Sequence, residues 1–139
     1  MITIAMNIHD VVLISAREYV HSFFKEKSPP QLVFHNYEHT LNVVNAVKLI
    51  GESEQLTRQD LLIVELAAWF NYTGYCTFFE NHREYSGRIA RKFLAKTEMS
   101  DLLVAKVLEC IKATQSDKTP ANHLEAAIKD ADTFYLSSN

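Results

Sequence analysis

Two histidines and an aspartate stand where their type and spacing could do chemistry: His35, His39 and Asp132. His35 and His39 are four residues apart, and a His-x3-His pair can hold one metal ion when both rings leave the same helix. If a helix begins after His35, that geometry is lost. His39 falls in step with Val43, Ala46 and Ile50, so it points inward. A lone histidine on such a face is more often a satisfied core group than a ligand. Asp132 lies four residues after Ile128 and four before Leu136, again on an inward stripe. A buried carboxylate is costly unless it meets a cation, a metal or several donors. Asp130 falls on a different face, and for both aspartates a helix-end salt bridge or cap is the plainer role.

Six helices are expected to position these groups. The first runs from about Asn7 or Asp10 to Lys27, ends at Ser28-Pro29-Pro30, and carries Val12, Ala16, Tyr19, Val20, Phe23 and Phe24 as its apolar stripe. Residues Gln31 to His35 read as a connector, Asn36 as the cap of a second helix, and Gly51 as its stop. Thr57 with Asp60 forms a variant capping box for a third helix, which is apolar nearly all round through Phe70 and so belongs at the centre. After a loop from Tyr72 to Glu80, Asn81 with Glu84 opens a fourth helix with Tyr85, Ile89, Ala90, Phe93 and Leu94 on one face. Ser100 caps a fifth, with Leu103, Val107, Leu108 and Ile111 inward. Thr119-Pro120 starts a sixth, since proline suits a first helical position, with Leu124, Ile128, Ala131 and Tyr135 as its stripe. Ser137-Ser138-Asn139 offers no stop signal, so this single domain of residues 1–139 is expected to continue in a longer protein.

Several segments, taken in order, resemble the HD-domain superfamily of metal-dependent phosphohydrolases. Phe34-His35-Asn36-Tyr37-Glu38-His39-Thr40 is similar to its first motif, whose last histidine is a metal ligand. Leu66-Ala67-Ala68-Trp69-Phe70-Asn71-Tyr72-Thr73-Gly74-Tyr75 is similar to its centre, where a buried helix ends in His-Asp and turns through Thr-Gly-Tyr. Asn81-His82-Arg83-Glu84-Tyr85-Ser86, Ile111-Lys112-Ala113-Thr114 and Lys129-Asp130-Ala131-Asp132 resemble the later motifs. The likeness spans roughly His35 to Leu136 and implies an all-α, HD-domain-like bundle of about six helices. It assigns metal-ligand roles to His39 and Asp132. It also implies metal-activated water attacking phosphorus, with the metal neutralising phosphate oxygens.

The chain departs from that pattern at the His-Asp pair, where it has Asn71-Tyr72. A neutral amide oxygen is a poor ligand for a transition metal, and a phenol binds only when ionised, near pH ~10. Two usual ligands remain against the three of a typical catalytic zinc site. His82 and His35 are the possible substitutes, with Glu38 and Cys76 as further candidates. The inventory therefore predicts no tightly held cofactor; were one held, it would be a divalent transition metal (Mn, Fe, Ni, Co or Zn). Arg83, Arg88 and Lys112 are the candidates for holding phosphate, Arg83 the best because it sits in a first helical turn, where anions are favoured. Arg88, Arg91 and Lys92 lie off the apolar stripe and read as a solvated face.

The resulting expectation is an HD-domain-like protein with impaired or lost hydrolase activity and a binding or regulatory role, of the kind found beside signalling segments in bacterial proteins. The alternative is an active phosphohydrolase on nucleotides or other phosphate esters with a rearranged metal site. A net charge of −3 gives no basic surface for nucleic acid. Apolar runs are broken well before ~18 residues, so no membrane span is expected. Two cysteines without a metal or redox motif suit free thiols in the cytoplasm. Homo-oligomerisation through exposed apolar surface is a further expectation.

Overall fold

The computed structural model describes residues 7–76, 81–115 and 117–137. Six α-helices and no strand occur among the described residues: α1 (Ile8–Lys27), α2 (Val33–Ser53), α3 (Arg58–Phe70), α4 (His82–Leu94), α5 (Asp101–Ala113) and α6 (His123–Ser137). The expected all-α bundle is thus the architecture observed. The side chain of Tyr135 and the predicted run-on at residues 138–139 lie outside what is described. No described helix is long and apolar enough to cross a membrane.

Local chemistry sets most of the boundaries. Asn7 accepts a hydrogen bond from the Asp10 amide (2.9 Å) and opens α1. Ser28 closes it in an extended conformation, as a residue before proline must. Thr57 accepts from the Asp60 amide (3.1 Å) at the start of α3, and Ser100 from the Leu103 amide (3.2 Å) at the start of α5. From Leu62 to Phe70 every residue of α3 is buried, and this helix touches all five others. A helix apolar around its whole circumference can only be stable at the middle of the bundle. Cys110 faces inward from α5; burial, with the Glu125 and Glu109 carboxylates, pushes its thiol pKa up to about 12.

Four local expectations need correction. Helix α2 starts at Val33, directly after a 3-10 turn at Pro30–Leu32, not at Asn36. The Asn36 amide is buried and donates to the Ser28 hydroxyl (2.8 Å), so a tertiary partner has displaced the capping role. His35 and His39 consequently share one helix. Asn81 precedes α4 but makes no side-chain cap bond. Helix α6 starts at His123 rather than at Pro120. There the Asn122 side chain accepts from the Glu125 amide (2.9 Å), while the buried Glu125 carboxylate accepts from the Ala121 amide (3.1 Å).

Gly51 is the fourth correction. It lies inside α2, and the left-handed residue that ends the helix is Gln55, with φ 56°. The Leu56 amide bonds back to the Gly51 carbonyl (2.9 Å) and the Gln55 amide to that of Glu52 (3.2 Å), the paired bonds of a Schellman end. A Cβ at Gly51 would lie 2.8 Å from Leu61 Cδ1, the far end of a side chain that can give way. Because a left-handed conformation costs a non-glycine residue about 1–2 kcal/mol, Gln55→Gly should stabilise the fold by roughly 0.5–1 kcal/mol after the added chain entropy. Urea unfolding of the two proteins measures this directly.

Candidate functional site

The carbonyls that α3 leaves without helical partners at its C-terminal end set the geometry of the site. The Thr73 hydroxyl donates to the Phe70 carbonyl (2.7 Å), and the buried Ser86 hydroxyl donates to that of Asn71 (3.0 Å). The same Ser86 oxygen accepts from the Gly74 amide (2.8 Å), pinning the short 3-10 turn Thr73–Cys76 against α4. Gly74 lies so close to α4 that a Cβ would fall 1.8 Å from the His82 carbonyl oxygen. On the other side of the turn the Cys76 thiol meets the Ser28 hydroxyl (3.1 Å), tying it to the end of α1.

Asn71 is the hub. It is buried, and its Oδ1 accepts from the Thr114 hydroxyl (3.0 Å) while its Nδ2 points at Asp132 Oδ1 (3.5 Å). Arg83 completes the chain: its Nε donates to the Thr114 hydroxyl (2.9 Å) and its Nη2 to the Thr114 carbonyl (3.0 Å). Residues from α4, the end of α5, the end of α3 and α6 thus meet in one polar cluster. Beside it runs a series of rings. His39 packs on Tyr72 (centroids 4.3 Å), Tyr72 on Tyr75 (4.3 Å), and Tyr75 stacks on His82 (3.7 Å).

The structure therefore brings His39, Asn71, Tyr72, His82, Arg83 and Asp132 together. Other predicted residues stay out: Glu38 is exposed on α2, and the Cys76 thiol turns to Ser28. His35 is exposed on α2 and joins none of these contacts. Lys112 is exposed on α5 and pairs with Glu109 (3.8 Å). The sequence reading assigned no role to Thr114, Ser86 or Tyr75, although each lies in a segment it singled out. For Ser86 and Thr114 the signal was a hydroxyl on an otherwise inward face, which must find a partner when buried.

Burial dominates the electrostatics. It raises the Asp132 carboxyl above its ordinary 3.8, against a downward pull from Arg83. It holds the His39 imidazole below its ordinary 6.5, and His35 adds to that effect. The Tyr75 phenol is raised by burial, lowered by Arg83 and raised by Asp132. The linkage for Asp132 has a definite sign. Its folded-state pKa exceeds 3.8, so the folded chain binds more protons and stability falls as pH rises from 3.8 through the raised value. Asp132→Asn should leave stability unchanged below pH 3.8 and increase it at pH 7 by on the order of 1 kcal/mol. Thermal melts of both proteins across that range test it. His39 acts oppositely: stability is full above 6.5 and is lost as pH falls through its lowered folded value.

The donor set does not fit a resident transition metal. Among the described residues no three His, Cys, Asp or Glu side chains are grouped to hold one. Asn71 turns its carboxamide to Thr114 and Asp132, and the ring of His39 lies against Tyr72. Comparison with protein-family models, curated proteins and solved structures gives no match.

Proposed function

We propose that this chain is an HD-domain-like module that binds a phosphate-ester ligand, such as a nucleotide, without hydrolysing it, and serves a regulatory role. The observation that carries this reading is the Asn71 carboxamide seated between Thr114 and Asp132. Where the HD pattern has His-Asp, this chain places a neutral group that engages the surrounding polar atoms, together with a phenol packed on His39. A neutral amide removes one formal charge that would balance a dication, and it does not bridge two metals as a carboxylate does. Arg83, in the first turn of α4, is the residue proposed to favour an anionic ligand.

The test restores the missing pair. Asn71→His with Tyr72→Asp should raise Mn affinity at least about tenfold over the parent, read by calorimetry on chelator-free protein. The parent itself should hold no stoichiometric metal and turn over none of a panel of phosphomonoesters and diesters. A parent that binds Mn as tightly as the double variant, or that hydrolyses any of the panel with added metal, overturns the proposal.

A further inference from the structure

A cleft that shares no residue with the polar cluster opens between α1, α2 and α3 and has a volume of about 360 Å³. That is near the lower end of small-molecule sites, which run roughly 300–1,000 Å³. Glu65 lines it, the one charged residue in the nine-residue buried run of α3, and it is only 6% exposed. An apolar residue there would serve packing better, because a buried carboxylate without a partner is destabilising by several kcal/mol. Glu65 forms no ion pair or hydrogen bond within the described residues.

Three more charges line the same cleft: Asp10 and Arg17 from α1 and Lys48 from α2. None of their charged groups is in an ion pair either, although Lys48 is near enough for its charge to act on Glu65. Two carboxylates and two cations thus face one space with no ion pair among the described residues; Glu65 is buried, while Asp10, Arg17 and Lys48 are exposed. A bare anion there meets Glu65 and Asp10; a bare cation meets Arg17 and Lys48. A ligand carrying both signs satisfies both pairs. The remaining wall is apolar, made by Leu13, Ile14 and the indole of Trp69, one helical turn from Glu65. We propose that this cleft binds a small zwitterion of the α-amino-acid type with an apolar side chain, its ammonium group on Glu65 and its carboxylate between Arg17 and Lys48.

Trp69 is the single tryptophan of the chain, so its fluorescence reports occupancy of the cleft without a label. The probes are L-leucine, L-methionine and L-phenylalanine, with N-acetyl-L-leucine and L-leucinamide as the forms lacking one charge. At least one of the three amino acids should change the Trp69 signal saturably. Both leucine derivatives should bind at least about tenfold more weakly than leucine if leucine is the ligand. Glu65→Gln, which preserves shape, should weaken binding by a similar factor with the melting temperature unchanged or raised. No saturable change with any of the three amino acids up to about 20 mM overturns the proposal. So does leucinamide binding as well as leucine, which would mark a site for bare cations. Retained affinity in Glu65→Gln also overturns it. Unbound protein in which Lys48→Met lifts the Glu65 pKa sharply, with no amino acid bound by the parent, assigns Glu65 to an internal ion pair instead.

Discussion

Gly74→Ala should destabilise the protein by about 3 kcal/mol or more, the largest effect of a methyl group added at any of its three glycines. The added carbon would fall 1.8 Å from the His82 carbonyl oxygen and 2.7 Å from the Ser86 hydroxyl. Neither obstacle is the far end of a flexible side chain. The first is α4 backbone. The second holds the Gly74 amide and the Asn71 carbonyl at once. Relief therefore requires the turn and α4 to separate, which breaks both bonds and leaves buried polar groups unmatched. The left-handed region plays no part, since no glycine here has positive φ. Chemical denaturation should show the loss as a lower midpoint, and Gly74→Ser should be at least as damaging. A variant within about 1 kcal/mol of the parent would show that the turn is not packed as described.

Asn71→Asp is the second large effect, and its signature is pH. The replacement puts a carboxylate where an amide now faces Asp132 Oδ1 at 3.5 Å. Two carboxylates at that spacing do not both ionise at low cost, and the site is buried. A loss of about 2–3 kcal/mol is expected at pH 7. Below about pH 4 at least one group carries a proton and can donate to the other, so most of the loss should be recovered. The guanidinium of Arg83, held on Thr114, softens the effect without cancelling it. Equilibrium unfolding at the two pH values measures the difference. A pH-independent loss would mean that the amide matters for its shape and not for its neutrality.

Helices whose ends are fixed by neighbours in sequence were legible, and those fixed by distant partners were not. Asn7, Thr57 and Ser100 each cap an amide three residues on, so α1, α3 and α5 began where the sequence placed them. Asn36 has the same chemistry, yet its amide is claimed by Ser28, the residue that closes the preceding helix, and α2 starts at Val33. Pro120 drew attention from the Asn-x-x-Glu box at Asn122 and Glu125 that opens α6. In the site, His39 and Asp132 were found because the helical period points both inward. The bonds among Asn71, Thr114 and Arg83 were not found, because no spacing within one helix encodes contacts among four. Glu65 was passed over because it sits in an apolar run whose burial every neighbour predicts.

The position of Cys110 gives this bundle a reporter of its own opening. A thiol that ionises only near pH 12 is almost inert to alkylation while α5 is docked. Once the helix departs, the thiolate fraction rises by orders of magnitude. Alkylation of Cys110 at neutral pH, followed by mass, would therefore clock how often the bundle opens, while the half-buried Cys76 separately times looser motions near the 73–76 turn.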